Sequence, residues 1–510
     1  MTMAPASSAP PTALGMDLGT GSLKCVLLDA AGSVRASATE SYPTSNPHPG
    51  WAEQNPADWI VAAKRAIDAL RQQDAMEAIR CIGICSAAHL PVLLDANDEI
   101  IRPAILWSDQ RSDAEVVDLT AHHHDALTQA TLNQAGCTWT LPQIMWVQRN
   151  EPEQHARIRS LLSSKDYLIF RLTGQRLMDH GSAAATLMLD AASQNWAEPL
   201  VHLSGLPDRA MPPLHRATDR IGEVSAQAAE LFNLPAGVPV IAGCLDSAAE
   251  LVGCGILTAE DGGMVRVGSA GGIMAIAPHA RYVPGVINYP HVAGDQRYWQ
   301  AGTNACATSL QWVRGLSAGQ GDTAQQLLTF EAIDALVAQT QPGADGMLFH
   351  PYLQGERAPY WNPNLRASFS GIHQNHGWPH FLRAVMEGVA YSLKDCLSLF
   401  EREGMSMPRA VMAGSITKSR IWSQIIADVL NMDLSTVRHG DSAFGIAMMA
   451  GVDGGLFPNL EGAAIKCIQR ETTVIANPEN AATYAAAFAR YGALAGYLDK
   501  NAYRRTADPH

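Results

Sequence analysis

The sequence predicts a two-domain α/β protein, and three observations carry that expectation. The chain has 510 residues, whereas single cores usually stop growing near ~250 to 300 residues. Residues 14–29, LGMDLGTGSLKCVLLD, run apolar strand, glycine and hydroxyl turn, apolar strand. Runs of four to eight apolar residues bounded by glycine suit strands, so this is a hairpin. Residues 261–278, DGGMVRVGSAGGIMAIAP, repeat the pattern in the second half. One such hairpin per half implies two similar domains facing one ligand across a cleft. The predicted organisation is a disordered tail over 1–12, an N-terminal domain over 13–242, a C-terminal domain over 243–480, and a helix and tail over 481–510.

Composition narrows the class. The chain is 47% hydrophobic and 17% charged with a net charge of -13, which is globular and argues against nucleic acid or an anionic membrane as partner. Groups that meet phosphate must therefore be concentrated locally. Nine scattered cysteines without a CxxC pair read as reduced and intracellular. No stretch reaches the ~18 apolar residues of a membrane span and the start lacks a signal-type segment, so the expected location is the cytoplasm.

The first hairpin matches neither the dinucleotide fingerprint nor the P-loop, since both need a helix directly after the glycines. Its glycines instead let the backbone N–H groups of Gly19, Thr20, Gly21 and Ser22 approach an anion, with two hydroxyls and Lys24 nearby. Asp17, at the end of the first strand, aims a carboxylate at the same place. A phosphate and a carboxylate together call for a divalent cation between them, and Mg²⁺ is the usual solution. Taken alone the segment reads equally well as an ordinary hairpin; the second copy favours the ligand reading.

Asn55 and Pro56 predict a helix start, with Trp59, Ala62, Ala63, Ala66 and Leu70 on its apolar face. Cys81 to Cys85 predict a buried strand whose end carries His89, in the type of loop where open α/β sheets place ligands. Residues 103–111, PAILWSDQR, predict a strand running into Trp107, Asp109 and Arg111. An aromatic surface with a carboxylate and a guanidinium can grip polyol hydroxyls. Trp139 reads from its residues as core packing or as a second aromatic contact. His122 to His124, on a helix without an acidic or cysteine partner set, read as a solvated face rather than a metal site.

Residues 238–250, VPVIAGCLDSAAE, run from strand into helix. A carboxylate at that turn, Asp246, is suited to take a proton from an attacking hydroxyl, while Asp246 or Ser247 is equally well typed as a helix N-cap. The second hairpin carries Gly268, Ser269, Ala270 and Gly271. Residues 411–430 predict a strand, a glycine turn at Gly414 and Ser415 against which a flat ring can lie, and a helix with Trp422, Ile425, Ile426 and Val429 buried. Residues 442–451 predict a small-residue helix that contains Gly445. The alanine-rich helix from 481 is expected to return to the first domain.

These segments resemble, over about residues 13–500, the FGGY carbohydrate kinases of the actin-like ATPase superfamily. LWSDQR is similar to the family's LWNDQR, GCLD to GGGD, GSAG to GTSG, PYLQGERAP to PYLSGERTP, and AGSI before Gln424, Ala427 and Asp428 to the adenosine motif with GGGA. The resemblance implies two actin-like, ribonuclease H-like domains with an ATP and sugar cleft between them. It also implies transfer of a phosphoryl group from ATP with Mg²⁺ as cofactor and a small-molecule sugar as partner. Asp246 would be the base, and Asp17 would hold the metal. His89, Trp107, Asp109, Arg111, Trp139 and Ser247 would hold the sugar. Gly19, Thr20, Gly21, Ser22, Lys24, Gly268, Ser269, Gly271, Gly414, Ser415 and Gly445 would hold ATP.

The xylulokinase-like pattern suggests a ketopentose such as xylulose, with departures at Ala88, Cys244, Leu245, Ser247 and Ala270. Another ketose or polyol (ribulose, erythritol, glycerol) is the alternative substrate, and an actin-like ATPase or binding protein without kinase activity is the rival class. A homodimer is an expectation at the level of the resemblance alone.

Overall fold

The computed structural model describes residues 10–74, 76–316 and 328–503. Strands β1 (Thr12–Leu18) and β2 (Ser22–Asp29) pair antiparallel with Asp17 opposite Lys24. Strand β3 (Val34–Ser41) continues the meander, and helix α1 (Pro56–Arg71) crosses over to β4 (Ile79–Ser86), which lies parallel to β1. The Asn55 side chain caps α1 by accepting from the Ala57 N–H, and Trp59, Ala62, Ala63, Ala66 and Leu70 are buried. The predicted strand before Trp107 shrinks to Ala104–Ile105. Strands β5 (Arg220–Glu223), β6 (Pro239–Ile241) and β7 (Cys244–Leu245) complete a seven-stranded sheet, ordered β5-β6-β4-β1-β2-β3 with β7 also on β4.

Helix α2 (Asp246–Gly253) leads to β8 (Gly263–Val267) and β9 (Gly271–Ile276), the second hairpin, and then to β10 (Ile287–Pro290) and β11 (Arg297–Thr303). After α3 (Ala307–Leu316) and the long buried α4 (Trp378–Arg402) come β12 (Arg409–Ala413), α5 (Arg420–Leu430) and β13 (Asp433–Val437). Helix α6 (Ser442–Asp453), β14 (Arg470–Val474) and α7 (Ala481–Tyr497) close the chain. The second sheet is ordered β10-β11-β9-β8-β12-β13-β14.

The two sheets share a unit. In β3-β2-β1-β4 and in β11-β9-β8-β12, three antiparallel strands are followed by a fourth that is parallel to the first of the hairpin. This duplication is the actin-like architecture that the resemblance implied. Each unit ends its hairpin strand on a glycine turn, so the two turns occupy matching places.

Three features differ from expectation. Strand β7 pairs with β4, so the first sheet runs past residue 242 and delivers Asp246 directly into α2. Helix α7 does not return to the first domain: Tyr484 and Tyr491 bury themselves against α4 and the strand Leu348–His350, and the Tyr491 ring stacks on His350 with centroids 4.3 Å apart. Apolar surface on α7 is satisfied there, which leaves no reason to cross. The element that does return is α6, which packs on β1, β2, β4 and α2. Among the described residues no helix is long and apolar enough to cross a membrane.

Candidate active site

Asp17 lies one residue before the end of β1, beside Cys85 on β4. Burial, then the neighbouring carboxyls of Asp246 and Asp441, push its pKa up to about 8. Among the described residues its carboxyl has one hydrogen-bond partner, the weak Cys85 thiol, Sγ to Oδ1 3.6 Å. Asp246 opens α2, where its carboxylate accepts from the Ser247 N–H at 2.7 Å. Burial raises its pKa and the Arg266 guanidinium counters that rise. A carboxylate made more basic by burial, and left with its remaining lone pairs free, is equipped to receive a proton. Asp246 is the first residue of its helix, whose N-cap position is Leu245 with no side-chain capping bond, so neither Asp246 nor Ser247 serves as the N-cap that the sequence also allowed.

The chain leading to Asp246 is held by a buried charged triad. Lys165, fully buried, pairs with Asp166 and with Asp179 at 2.9 Å, and donates to the Ala242 carbonyl at 2.9 Å. The bond to Ala242 pins the chain between β6 and β7.

The first turn is braced from its carbonyl side. Gly19 N–H donates to Ser22 O at 3.0 Å, the Tyr42 hydroxyl donates to the Gly19 carbonyl, and Gln54 donates to the Thr20 carbonyl at 2.6 Å. Trp107 Nε1 donates to Thr20 Oγ1 at 3.0 Å. With its carbonyls and one hydroxyl fixed, the turn keeps Gly21 open. Lys24 points along the same edge but is paired with Asp441, Nζ to Oδ2 3.0 Å.

The second turn is braced by the start of α3. Cys306 and Ala307 N–H groups donate to the carbonyls of Ser269 and Gly268 at 2.8 and 2.9 Å, and the Thr308 hydroxyl donates to Ser269 O at 3.0 Å. Gly414, at φ 106, lies against Val267 and Gly268 so closely that a Cβ would strike the Val267 carbonyl. Only glycine fits there. The turn predicted for adenosine therefore adjoins the turn predicted for phosphate, with Ser415 exposed beside them.

Gly445 does not belong to this group. It is buried in α6, where a Cβ would collide with the Ala249 carbonyl of α2. Its small size serves a close helix crossing rather than approach to a nucleotide.

On the sugar side, His89 is 7% exposed with φ 61. Its Nδ1 lies 2.8 Å from the Ala185 carbonyl, which can only accept, so Nδ1 carries the proton and Nε2 accepts from the Tyr289 hydroxyl at 2.8 Å. Burial lowers its pKa to about 4, keeping it neutral. Trp139 is fully buried, edge-on to His89 at 4.7 Å. Ser247 Oγ is 2.7 Å from the Tyr298 hydroxyl. His89, Trp139 and Ser247 come from the first half; Tyr289 and Tyr298 come from β10 and β11 of the second. The cluster thus joins the two halves.

Asp109 and Arg111 are placed differently from a grip on hydroxyls. Asp109 is 1% exposed, chelates Arg111 at 2.9 and 2.7 Å and accepts from the Ala52 N–H at 2.6 Å. Arg111 also meets Glu53 at 2.7 Å and lies over the Trp51 ring at 3.8 Å. Their donors and acceptors are consumed in holding residues 51–54, which carry Gln54 to the first turn. Trp107 remains beside the cleft, with the Arg357 guanidinium 5.7 Å above its ring.

Sequence reasoning missed Tyr289, Tyr298, Glu250, Arg266 and Asp441. The tyrosines sit in strands with no motif. Glu250 follows Asp246 by four residues, a spacing that places both on one helix face and that could have been read. Glu356, in the loop after residue 353, accepts from Thr303 Oγ1 at 2.6 Å, Asn304 N–H at 2.9 Å and Arg357 N–H at 2.8 Å, a loop anchor pushed up to about 7 by burial.

Comparison with known proteins bears on this arrangement. Residues 12–253 match the N-terminal domain and residues 263–453 the C-terminal domain of the FGGY family of carbohydrate kinases. A xylulose kinase of Lactococcus lactis subsp. lactis is 33% identical over 478 residues, covering 92% of this chain and 94% of the relative. One from Escherichia coli K12 is 33% identical over 442 residues, 86% and 89% of the two chains. The crystal structure of a xylulose kinase from Rhodospirillum rubrum superposes with a TM-score of 0.87 at 29% identity, over 96% of this chain and 99% of that one.

Proposed function

The chain belongs to the FGGY family of carbohydrate kinases, a sugar kinase, and from that premise we propose that it transfers the γ-phosphoryl group of ATP to a ketopentose such as xylulose, with Asp246 as general base. The observation that carries the reading is Asp246 itself: a half-buried carboxylate at the head of α2, its side chain bonded to its neighbour's N–H, standing in the sequence between two matching glycine turns. The 33% identity to xylulose kinases over most of the chain supports the substrate class.

Asp246 accepts the proton of the sugar hydroxyl as its oxygen attacks phosphorus. The Gly19–Ser22 and Gly268–Gly271 turns orient the phosphates through backbone N–H groups, and Gly414 with Ser415 receives the adenosine. Trp107, His89, Trp139 and Ser247 line the sugar end and exclude water, which would otherwise take the phosphoryl group.

Mg²⁺ fits the residues present. Asp17 is a half-buried carboxyl with a thiol as its hydrogen-bond partner, within electrostatic reach of the Asp246 and Asp441 carboxyls, and such an oxygen ligand suits a hard cation. Among the described residues no group of three or more acidic, histidine or cysteine side chains forms a closed metal cage, so phosphate oxygens and water would supply the other ligands. When bound, the ion would neutralise charge on the phosphates.

A second substrate reading, another ketose or a polyol such as ribulose, erythritol or glycerol, is favoured by one observation: the Ser247 hydroxyl is already committed to Tyr298. The test is ADP release with Mg-ATP against D- and L-ketopentoses, tetritols, glycerol and hexonates. Stimulation by D-xylulose supports the first reading, stimulation by another member supports the second, and ADP release indifferent to every member overturns both.

A further inference from the structure

Asp17 and Arg266 hold the same position in the two halves. Each stands two residues before the first glycine of its turn, in Asp17-Leu18-Gly19 and Arg266-Val267-Gly268. Each lies on a strand flanked by an antiparallel partner on one side and a parallel one on the other. One half thus offers the cleft a carboxylate and the other a guanidinium.

Independent geometry places Arg266 beside the base. Its Nη1 is 3.4 Å from Glu250 Oε2, and Glu250 stands one helical turn after Asp246 on the same face of α2. That pairing is loose, beyond the length of a good charge-assisted hydrogen bond. The Arg266 side chain remains 43% exposed while that of Glu250 is 9% exposed, so the guanidinium is anchored on one side and open on the other. Lys24, the other cation at this edge, is held by Asp441 at 3.0 Å. A polyphosphate entering among Asp17, Asp246, Glu250 and Asp441 meets four carboxyls, and Arg266 is a guanidinium of the second half within electrostatic reach of Asp17, Asp246 and Glu250, whereas Arg357 lies over Trp107.

We propose that Arg266 is a catalytic residue whose guanidinium contacts the γ-phosphoryl group during transfer, with Glu250 holding it in position. The inference rests on the kinase reading above. In the step, the sugar oxygen forms a bond to the γ-phosphorus and the bond from phosphorus to the β,γ-bridging oxygen breaks. The hydroxyl proton passes to Asp246, and ADP leaves with the bridging oxygen. Negative charge shifts toward that oxygen and the equatorial oxygens, where a preorganised donor stabilises the transition state more than the ground state.

The test compares wild type with Arg266→Gln, Arg266→Lys and the double variant Arg266→Gln/Glu250→Gln, which leaves no buried carboxylate unpaired if the single variant folds poorly. Two readouts are taken: affinity for ADP against the non-hydrolysable β,γ-imido analogue of ATP, and sugar-dependent ADP release. Removing the guanidinium is expected to weaken the imido analogue ~10-fold while ADP changes less than about twofold. It is also expected to lower kcat by ~10² to 10³ with the sugar KM unchanged, and Lys should recover part of both. Equal weakening of ADP and analogue, or an unchanged kcat, overturns the assignment. The binding comparison needs no sugar. A wild type that ignores every sugar yet loses its ADP-against-analogue discrimination on substitution would sink the substrate reading and uphold the contact.

Discussion

The turn after β1 and the turn after β8 occupy the same place in a repeated four-strand unit, yet they are built for different work. The first is braced by side chains, Tyr42, Gln54 and Trp107, that arrive from the strands and loops of its own half. The second is braced mainly by backbone, through the N–H groups at the start of α3 and the close approach of Gly414, with the Thr308 hydroxyl as its one side-chain brace among the described residues. The first keeps two hydroxyls, Thr20 and Ser22, and carries Asp17 ahead of it. The second keeps Ser269, has Ala270 in the next position, and carries Arg266. The two turns share one scaffold and differ in charge and hydroxyl content; on the proposed reading this gives the cleft two unlike poles, one for a cation and one for an anion.

The strongest way to break that comparison is to neutralise the acidic pole. Asp246→Ala should lower kcat by at least ~10² with ATP affinity largely intact, and Asp17→Asn should lower it by a similar factor; turnover within a few-fold of wild type in either variant would dissolve the pole. As the proposed base, Asp246 would work in its ionised form, and burial raises its pKa, so kcat should fall as pH drops. The midpoint should lie above the ordinary carboxylate value of 3.8, and a profile flat to pH 4 would contradict it.

Next in size is the support beneath the first turn. Gly445→Leu should destabilise the fold by ~1 to 3 kcal/mol through overpacking between α6 and α2, read as a lower urea midpoint. Affinity for ATP in the folded fraction should stay unchanged; a selective loss of nucleotide binding would restore Gly445 to the ATP site. Smaller again, Trp107→Phe removes the donor to Thr20 Oγ1 and should raise the KM for ATP about fivefold, as for the loss of one hydrogen bond of ~1 kcal/mol. Least of all, Ala270→Thr gives the second turn the hydroxyl that the first possesses and should tighten ATP by no more than about fivefold. An ATP affinity weakened by this change would mean that the position of Ala270 does not face a phosphate.

How much of this was legible in the sequence depends on the distance over which each feature is specified. The hairpins, the Asn55-capped helix and the strand-to-helix step at Asp246 are written in adjacent residues, through apolar runs, glycines and capping groups, and were readable. Trp107 kept a place at the cleft while Asp109 and Arg111, two and four residues on, became partners of each other and of residues 51–53. No local pattern encodes that choice, because Glu53 and Ala52 lie more than fifty residues away. Gly445 was misread because a glycine needed for a helix crossing and one needed near a ligand look the same until the partner, here Ala249, is known. Tyr289 and Tyr298 reach His89 and Ser247 from the opposite half, and two residues of ordinary strand composition announce nothing until the halves face each other.

The placement of α6 also sets a schedule for the nascent chain. The first sheet and α2 are complete by residue 253, but the helix that covers β1, β2 and β4 begins at Ser442. At ~5 to 20 residues per second, translation leaves that apolar face uncovered for about 10 to 40 s. A fragment stopped at residue 253 lacks the cover of its own sheet and is expected to sediment as aggregate, and adding residues 442–453 in trans should reduce that. On the ribosome the N-terminal sheet waits for a piece of chain that emerges only after most of the second domain, so the two halves reach their finished state together rather than one after the other.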